Sequence, residues 1–365
     1  MNARGSTEVI VATIGLSMGA LSENLFTMIV AMAVATTIAM PPMLRWALAR
    51  VPMHKAEEER LEREEFEARE FVPNVERMLL AVDQSPNGKF AARLAGRIAG
   101  PRGLPTTVLA LSETAKNKAR GRGNPEKEDA EDRDRVGEGV KAAAEESKQR
   151  RISDDEPGRV DVTVCRLEAS SEEAVAREAK KGYDLLLVGV ANAATNGAFD
   201  PSVTLIAAAF DGPLAITVGK GIHLRQRERS PLHILVPVNG TDVSRRAAEV
   251  AIAIAHACNC PVAALYVAPG VTDNPRKRRG FRARQQEQAL MKDFVEMADR
   301  YDVRAKTAVR ADLAPDKAIL AELKEAKHDL IIMGAGRRPG DKLFFGDTAA
   351  AVLEKSPASI LFVAT

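Results

Sequence analysis

The sequence predicts an α/β protein: two tandem doubly wound parallel sheets of five strands each, preceded by a two-helix transmembrane hairpin and a charged helical linker. Three observations carry this expectation. Short apolar strands alternate with helical stretches over roughly 130–150 residues, the pattern of parallel doubly wound sheets. That pattern occurs twice: Met78-Leu79-Leu80-Ala81-Val82-Asp83 matches Ile234-Leu235-Val236-Pro237-Val238-Asn239, and Tyr183-Asp184-Leu185-Leu186-Leu187-Val188-Gly189 matches His328-Asp329-Leu330-Ile331-Ile332-Met333-Gly334. Apolar residues make up 45% of the chain but aromatics only 4%, so the cores are built from small aliphatic side chains, as in strands buried on both faces.

The elements follow in order. Residues 9–21 are apolar and contain Gly15 and Gly19; Ser22-Glu23-Asn24 interrupts; residues 25–44 carry no charge and match the ~20 residues that cross a hydrocarbon core. Trp46 suits an aromatic belt, with Arg45, Arg50, His54 and Lys55 beyond it, which places both ends of the hairpin on the cytoplasmic side. A cleaved signal peptide is the competing reading, opposed by the second and longer apolar run. Residues 55–70 contain no Gly or Pro and pair Glu59 with Arg63 and Glu65 with Arg69 at helical spacing, so a solvated stalk is expected.

These features divide the chain into a hairpin (1–50), a linker (51–72), a first α/β domain (73–220) with a charged insertion (113–159), and a second α/β domain (230–365). Within the insertion, residues 116–132 read as disordered and 133–150 as a helix. Arg276-Lys277-Arg278-Arg279, with Arg282 and Arg284, forms a basic patch suited to anionic headgroups, making membrane lipids an expected partner.

Several function classes are excluded or disfavoured. A net charge of +2 makes no demand for nucleic acid, and none is expected as a partner. Cys165, Cys258 and Cys260 form no disulfide framework, which suits a reducing compartment. The Cys258-Asn259-Cys260 pair lacks further ligands nearby, so no metal site is expected. The five histidines are scattered without a nucleophile–base pattern; no catalytic residues are assigned and the chain is not expected to be an enzyme.

Residues 328–365 are the most informative. An apolar strand stops at Gly334-Ala335-Gly336, a polar stretch ends in Gly346-Asp347-Thr348, and a helix begins. Strand, glycine loop and helix N-terminus together cradle phosphate, because glycines admit the anion close to the backbone and unpaired N–H groups point at it.

Two resemblances rest on these residues. Met1-Asn2-Ala3-Arg4-Gly5, Glu8-Val9-Ile10-Val11, Ile14-Gly15-Leu16, Leu21-Ser22, Leu25-Phe26-Thr27-Met28, Ala35-Thr36-Thr37 and Pro41-Pro42 resemble the last two membrane helices of Kef-type monovalent cation/proton antiporters. This resemblance implies a C-terminal portion of an antiporter, truncated or split, with the remainder of the membrane domain as partner. It also implies the bacterial inner membrane, with the soluble domains in the cytoplasm. The family's ion-binding acids lie on earlier helices, so the portion is not expected to transport Na⁺ or K⁺ alone.

Both α/β copies resemble the universal stress protein family, a Rossmann-type fold, through Pro237-Val238-Asn239-Gly240-Thr241 and the loop from Gly334 to Gly346-Asp347-Thr348. The resemblance implies binding of ATP or AMP, with Mg²⁺ as a companion. In the second copy the implied residues are Val238, Asn239, Gly334, Gly336, Arg337, Gly340, Gly346, Asp347 and Thr348. In the first they are Asp83, Gly189, Gly197 and Ser202, a weaker set because Pro201 falls in the register of Gly346 and has no N–H to donate. Pairing of the two copies, and a homodimer, are also implied.

The second copy departs from the family pattern at three places. Asn239 replaces an aspartate and Arg337 a glycine, while Gly346 arrives one residue early and is followed by Asp347. A carboxylate at that helix start repels phosphate unless Mg²⁺, Arg337 or Arg338 intervenes. Three functions stay open: a nucleotide-sensing regulatory tail of an antiporter, a membrane-anchored tandem stress protein acting independently of transport, and a nucleotide hydrolase, the last with no evident base beyond Asp341 or Asp347.

Overall fold

The computed structural model describes residues 4–48, 70–111, 125–148, 160–165, 171–195, 197–225, 232–268, 281–336 and 346–364. The chain forms two units, Met1–Phe66 and Glu67–Thr365.

In the first unit, helices α1 (Arg4–Ser17) and α2 (Glu23–Leu48) pack on each other and turn at Gly19, whose φ is +68°. Among the described residues no helix is long and apolar enough to cross a membrane. The 14 residues of α1 reach about 21 Å, short of a ~30 Å core. Much of the pair's apolar surface is exposed, including Ile10, Val11, Met28, Met32, Ile38 and Met43. Residues 55–69 of the stalk and 276–279 of the basic patch lie outside the described residues.

In the second unit, strands β1 (Met78–Val82), β2 (Thr106–Ala110), β3 (Val162–Cys165), β4 (Leu185–Gly189) and β7 (Leu214–Val218) form one half of a sheet. A two-stranded hairpin, β5 (Ala194–Thr195) and β6 (Ala198–Phe199), lies outside it. Strands β8 (Ile234–Val238), β9 (Val262–Val267), β10 (Ala305–Arg310), β11 (Leu330–Ala335) and β12 (Ser359–Ala364) form the other half. The expected pair of five-stranded sheets is in fact one ten-stranded sheet, in the order β10-β9-β8-β11-β12-β7-β4-β1-β2-β3.

The halves join at β12 and β7, which run antiparallel with Phe362 opposite Ile216. Every other pair is parallel, so the strand carboxyl ends of the two copies point in opposite directions. Both joining strands are buried at every residue, as strands covered on two faces must be.

Helices cover each face. Helix α3 (Pro86–Ala99) is capped by the Ser85 hydroxyl, which accepts from the Gly88 N–H at 3.0 Å, and Pro86 supplies its pre-set first turn. Helix α4 (Pro125–Lys148) packs on α3. The contact is close because Gly96 has no side chain: a Cβ there would lie 2.5 Å from the Val140 carbonyl oxygen. This helix begins at Pro125, before the expected 133, so residues 125–132, expected to be disordered, are helical. On the other face, α5 (Ser171–Ala179), α6 (Pro201–Ala208), α10 (Pro315–Ala326) and α11 (Gly346–Lys355) cover a core that is continuous across both copies, from Leu79 and Ile206 to Ile319 and Phe362. Three further helices complete the order: α7 (Ile222–Arg225), α8 (Asp242–Cys258), packed on α3, and α9 (Phe281–Arg300).

The chain joins this unit through a buried acidic knot. Glu70 is 2% exposed and its Oε2 accepts from the Tyr301 hydroxyl at 2.8 Å. Glu249 on α8 accepts from the backbone N–H of Phe71 and of Val72, while Arg102 of the first copy donates to the carbonyls of Val72 and Pro73. Burial pushes the Glu70 carboxyl up to about 7 from 4.5; the Tyr301 hydrogen bond opposes this and the Glu249 charge reinforces it. A carboxyl whose folded value is raised favours folding most when protonated. Its stabilisation is complete below 4.5 and is lost as pH rises through about 7. Thermal unfolding of Glu70→Gln should therefore lose less stability than wild type between these values; identical pH profiles would exclude a titrating Glu70.

Candidate functional site

In each half the chain leaves the first strand to one side and returns on the other, between β1 and β4 and between β8 and β11. Ligands of doubly wound sheets sit outside the strand carboxyl ends at such switch points. The two crevices differ. β1 and β4 pair over all five residues, Met78↔Leu185 through Val82↔Gly189, and the Asp83 N–H continues the ladder by donating to the Gly189 carbonyl at 3.2 Å. β8 and β11 pair only at Ile234↔Leu330 and Leu235↔Ile331.

Pro237 accounts for the difference. Donors toward one neighbour alternate along a strand, so Ala81, two residues before Asp83, faces β4 as well. Its counterpart is Pro237, which has no N–H to give β11. The next donor in that series, the Asn239 N–H, turns to the Ser244 hydroxyl at 3.4 Å. The second copy is thus unzipped at its carboxyl end and the first is zipped. The proline was visible in the sequence; its significance required knowing which neighbour its nitrogen faces.

The first copy fills its own site. Asp83, 8% exposed, accepts from the Ala191 N–H at 2.6 Å, the Ser85 N–H at 3.1 Å and the Ser85 hydroxyl. Gly189 is pressed against α3, where an added Cβ would collide with that of Ala91. Asp200 caps α6 and accepts from the Ser202 N–H at 3.0 Å and the Ser202 hydroxyl at 2.6 Å. An intrinsic carboxylate therefore occupies the anion position, and Ser202 is committed to it. Gly197, at φ +76°, packs on the second copy, where its Cβ would meet the Ala350 carbonyl oxygen at 3.2 Å. Asp83 and Gly189 are thus adjacent, while Gly197 and Ser202 serve other contacts. Asp200 was not singled out from the sequence, although an aspartate before Pro201 is a helix-capping signal.

The second copy leaves more exposed. Val238 is buried at the end of β8, and Asn239 beyond it is exposed. The Asn239 Oδ1 already accepts from the Thr241 N–H at 3.1 Å and the Thr241 hydroxyl at 2.7 Å, so its Nδ2, a donor, is the group left to a ligand. Thr241 in turn caps α8, accepting from the Ser244 N–H at 3.3 Å. Gly334 lets β11 meet α8, since a Cβ would lie 2.5 Å from the Val243 carbonyl oxygen. Gly336 and Gly346 face open space, and Gly346 adopts φ +75°, a conformation that favours glycine. It begins α11, with Asp347 exposed and Thr348 half-buried. Arg337, Arg338, Gly340 and Asp341 lie outside the described residues. Among the described residues no three His, Cys, Asp or Glu side chains gather as a metal site. Asn259, with φ +52°, ends α8 between Cys258 and Cys260, giving the cysteine pair a helix-terminating context.

Known proteins supply a context for this geometry. The model of the universal stress protein family matches residues 74–205 and 232–364. Universal stress protein MJ0531 of Methanocaldococcus jannaschii is 27% identical over 147 residues, covering 38% of this chain and 86% of that protein. The crystal structure of a universal stress protein from Archaeoglobus fulgidus matches 79% of this chain and 98% of its own, with a TM-score of 0.51 at 15% identity. A structure of a universal stress protein from the same organism in complex with dAMP matches 36% of this chain and 97% of its own, with a TM-score of 0.30 at 18% identity.

Replacing Pro237 with alanine restores a donor toward β11. Pro237→Ala should raise stability by about 1 kcal/mol in denaturant unfolding, and the backbone amide gained at that position should be protected from hydrogen exchange. An amide that exchanges like an exposed one would refute the proline account.

Proposed function

Because the chain belongs to the universal stress protein family, we propose that its second copy binds an adenine nucleotide, ATP or AMP, while the first copy serves as a structural partner. The observation that carries this reading is the contrast at the switch points: β8 and β11 part after two paired residues, whereas β1 and β4 remain paired to their ends. Asn239 Nδ2 donates to a ribose hydroxyl, Gly334 seats β11 against α8 beside it, Gly336 lets the backbone approach, and the N–H groups of Gly346, Asp347 and Thr348 receive phosphate. Mg²⁺ offsets the Asp347 carboxylate, and Arg337 and Gly340 complete the loop between.

The function is sensing rather than catalysis. The acidic knot at Glu70 and Glu249 gives the module a defined attachment to the preceding chain. We further propose that the preceding segment docks the module, on the cytoplasmic side of a bacterial inner membrane, against the remainder of a Kef-type cation/proton antiporter. The exposed apolar residues of α1 and α2, among them Met28, Met32 and Ile38, favour an apolar partner for the hairpin. Nucleotide then acts by binding one packing of the module better than another. The other reading is a membrane-anchored tandem stress protein that responds to ATP or AMP without a transporter.

Calorimetric titration of the full chain with ATP and AMP, with and without Mg²⁺, tests the first proposal. One site per chain is expected, weakened at least tenfold by Gly346→Val, which forces a β-branched residue into positive φ, and unchanged by Ser202→Ala. No heat at millimolar nucleotide would remove the sensing role. Affinity isolation of the full chain from solubilised native membranes separates the other two readings: co-isolation of a polytopic cation/proton antiporter supports attachment, and its absence supports an independent protein.

A further inference from the structure

Two carboxyl groups are buried where the chain enters the second unit. Glu70 is 2% exposed and Glu249 4%. Glu249, on α8, accepts from the N–H groups of Phe71 and Val72, and its Oε1 lies 3.5 Å from Arg245 Nε. Glu70 is served differently. Its Oε2 accepts from the Tyr301 hydroxyl at 2.8 Å, while its Oε1 is buried with no hydrogen-bond partner. With three partners against one, Glu249 is the better host for negative charge. A protonated Glu70 tolerates its setting, because a neutral acid forfeits one hydrogen bond. An ionised Glu70 leaves a charged oxygen unpartnered and out of water, which costs far more.

Three surrounding arginines are engaged elsewhere. Arg245 also donates from Nη1 to Asp293 Oδ2 at 2.8 Å. Arg246 lies over the Phe71 ring, its guanidinium carbon 5.8 Å from the centroid. Arg102 of the first copy donates to the carbonyls of Val72 and Pro73. Burial accordingly pushes the Glu70 carboxyl up to about 7; the Tyr301 hydrogen bond opposes this, Glu249 reinforces it, and Arg300 and Arg245 oppose it from α9 and α8. The backbone locates the movable part. The Glu70 carbonyl accepts from Asn74 Nδ2 at 2.6 Å, and residues 71–73 are held by Glu249 and Arg102. Among the described residues the Glu70 side chain is the tie that lies ahead of these bonds. Turning it into water breaks the bond from Tyr301 and leaves the sheet undisturbed.

We propose that Glu70 is a proton-operated latch: protonated, it seats the entering chain against the second copy, and ionised, it swings into water and frees that entry from Tyr301. Once released, Glu70 ionises at its ordinary 4.5. Each pH unit from there to about 7 therefore favours the released state by about tenfold, and the gain stops above about 7. The latch closes in acid and opens toward neutrality. Glu249 keeps Phe71 and Val72 throughout, so the entry is redirected at Glu70 rather than detached. A device of this kind reports proton concentration to whatever the entering chain is joined to, without any change in the packed core.

The chain has three tyrosines, Tyr183, Tyr266 and Tyr301, so labelling the full chain with 3-fluorotyrosine gives three fluorine signals, and Tyr301→Phe identifies the one from Tyr301. Between pH 5 and pH 8 the Tyr301 signal should move, and its relaxation by a soluble gadolinium chelate should rise at least twofold as the ring opens to water. Glu70→Gln keeps an oxygen for the Tyr301 hydroxyl and removes the charge. It should hold the signal and its relaxation at their acid values up to pH 8. Tyr183, a buried ring of the first copy, should show constant relaxation in both proteins, which separates the latch from general unfolding. A Tyr301 signal that stays still, that moves without gaining access to the chelate, that is matched by Tyr183, or that behaves identically in Glu70→Gln would overturn the proposal. None of these outcomes depends on nucleotide binding or on a membrane partner.

Discussion

The antiparallel ladder between β7 and β12 is the constraint on which the rest of the second unit depends. A doubly wound half-sheet ends in an edge strand with unpaired backbone donors and acceptors, a liability in water. Here both edges are wholly buried and each satisfies the other. The last strand of one copy meets the last strand of the other, the arrangement a two-fold relation requires, so the pairing is antiparallel although each half is parallel. The continuous core from Leu79 to Phe362 and the contact of α3 with α8 both follow from this junction.

The duplicated halves then diverged by small backbone changes. One strand residue, alanine in the first copy and proline in the second, decides whether the central ladder runs to its end. One acid decides whether a helix N-terminus is filled internally, as Asp200 does for α6. Neither change alters the core. A repeat can therefore lose or keep a ligand crevice without losing its stability, because the crevice is built at strand ends and helix starts rather than in the packed layers between.

The repeated strands were legible because strands buried on two faces read as unbroken apolar runs; β1 and β8 fall within the matched segments 78–83 and 234–239. Their assembly into a single sheet was not legible, since nothing distinguishes an apolar edge strand from an apolar central one. Residues 125–132 read as disordered because local charge hid a helix that is held by glycine contacts on α3. For the hairpin, apolar composition suggested a bilayer, and among the described residues no helix is long and apolar enough to cross one. The glycines of the second crevice were apparent as a pattern. That Asn239 presents a donor was not, because this arises from a turn made with its near neighbour Thr241.

The knot around Glu70 has a mechanical consequence. Phe71 and Val72 are held by Glu249 of the second copy, while the carbonyls of Val72 and Pro73 are held by Arg102 of the first. Tension arriving along the preceding chain is therefore divided between the copies within a few residues, instead of peeling one away from the other. The clamp is thus a second tie between the copies, beside the β7–β12 seam.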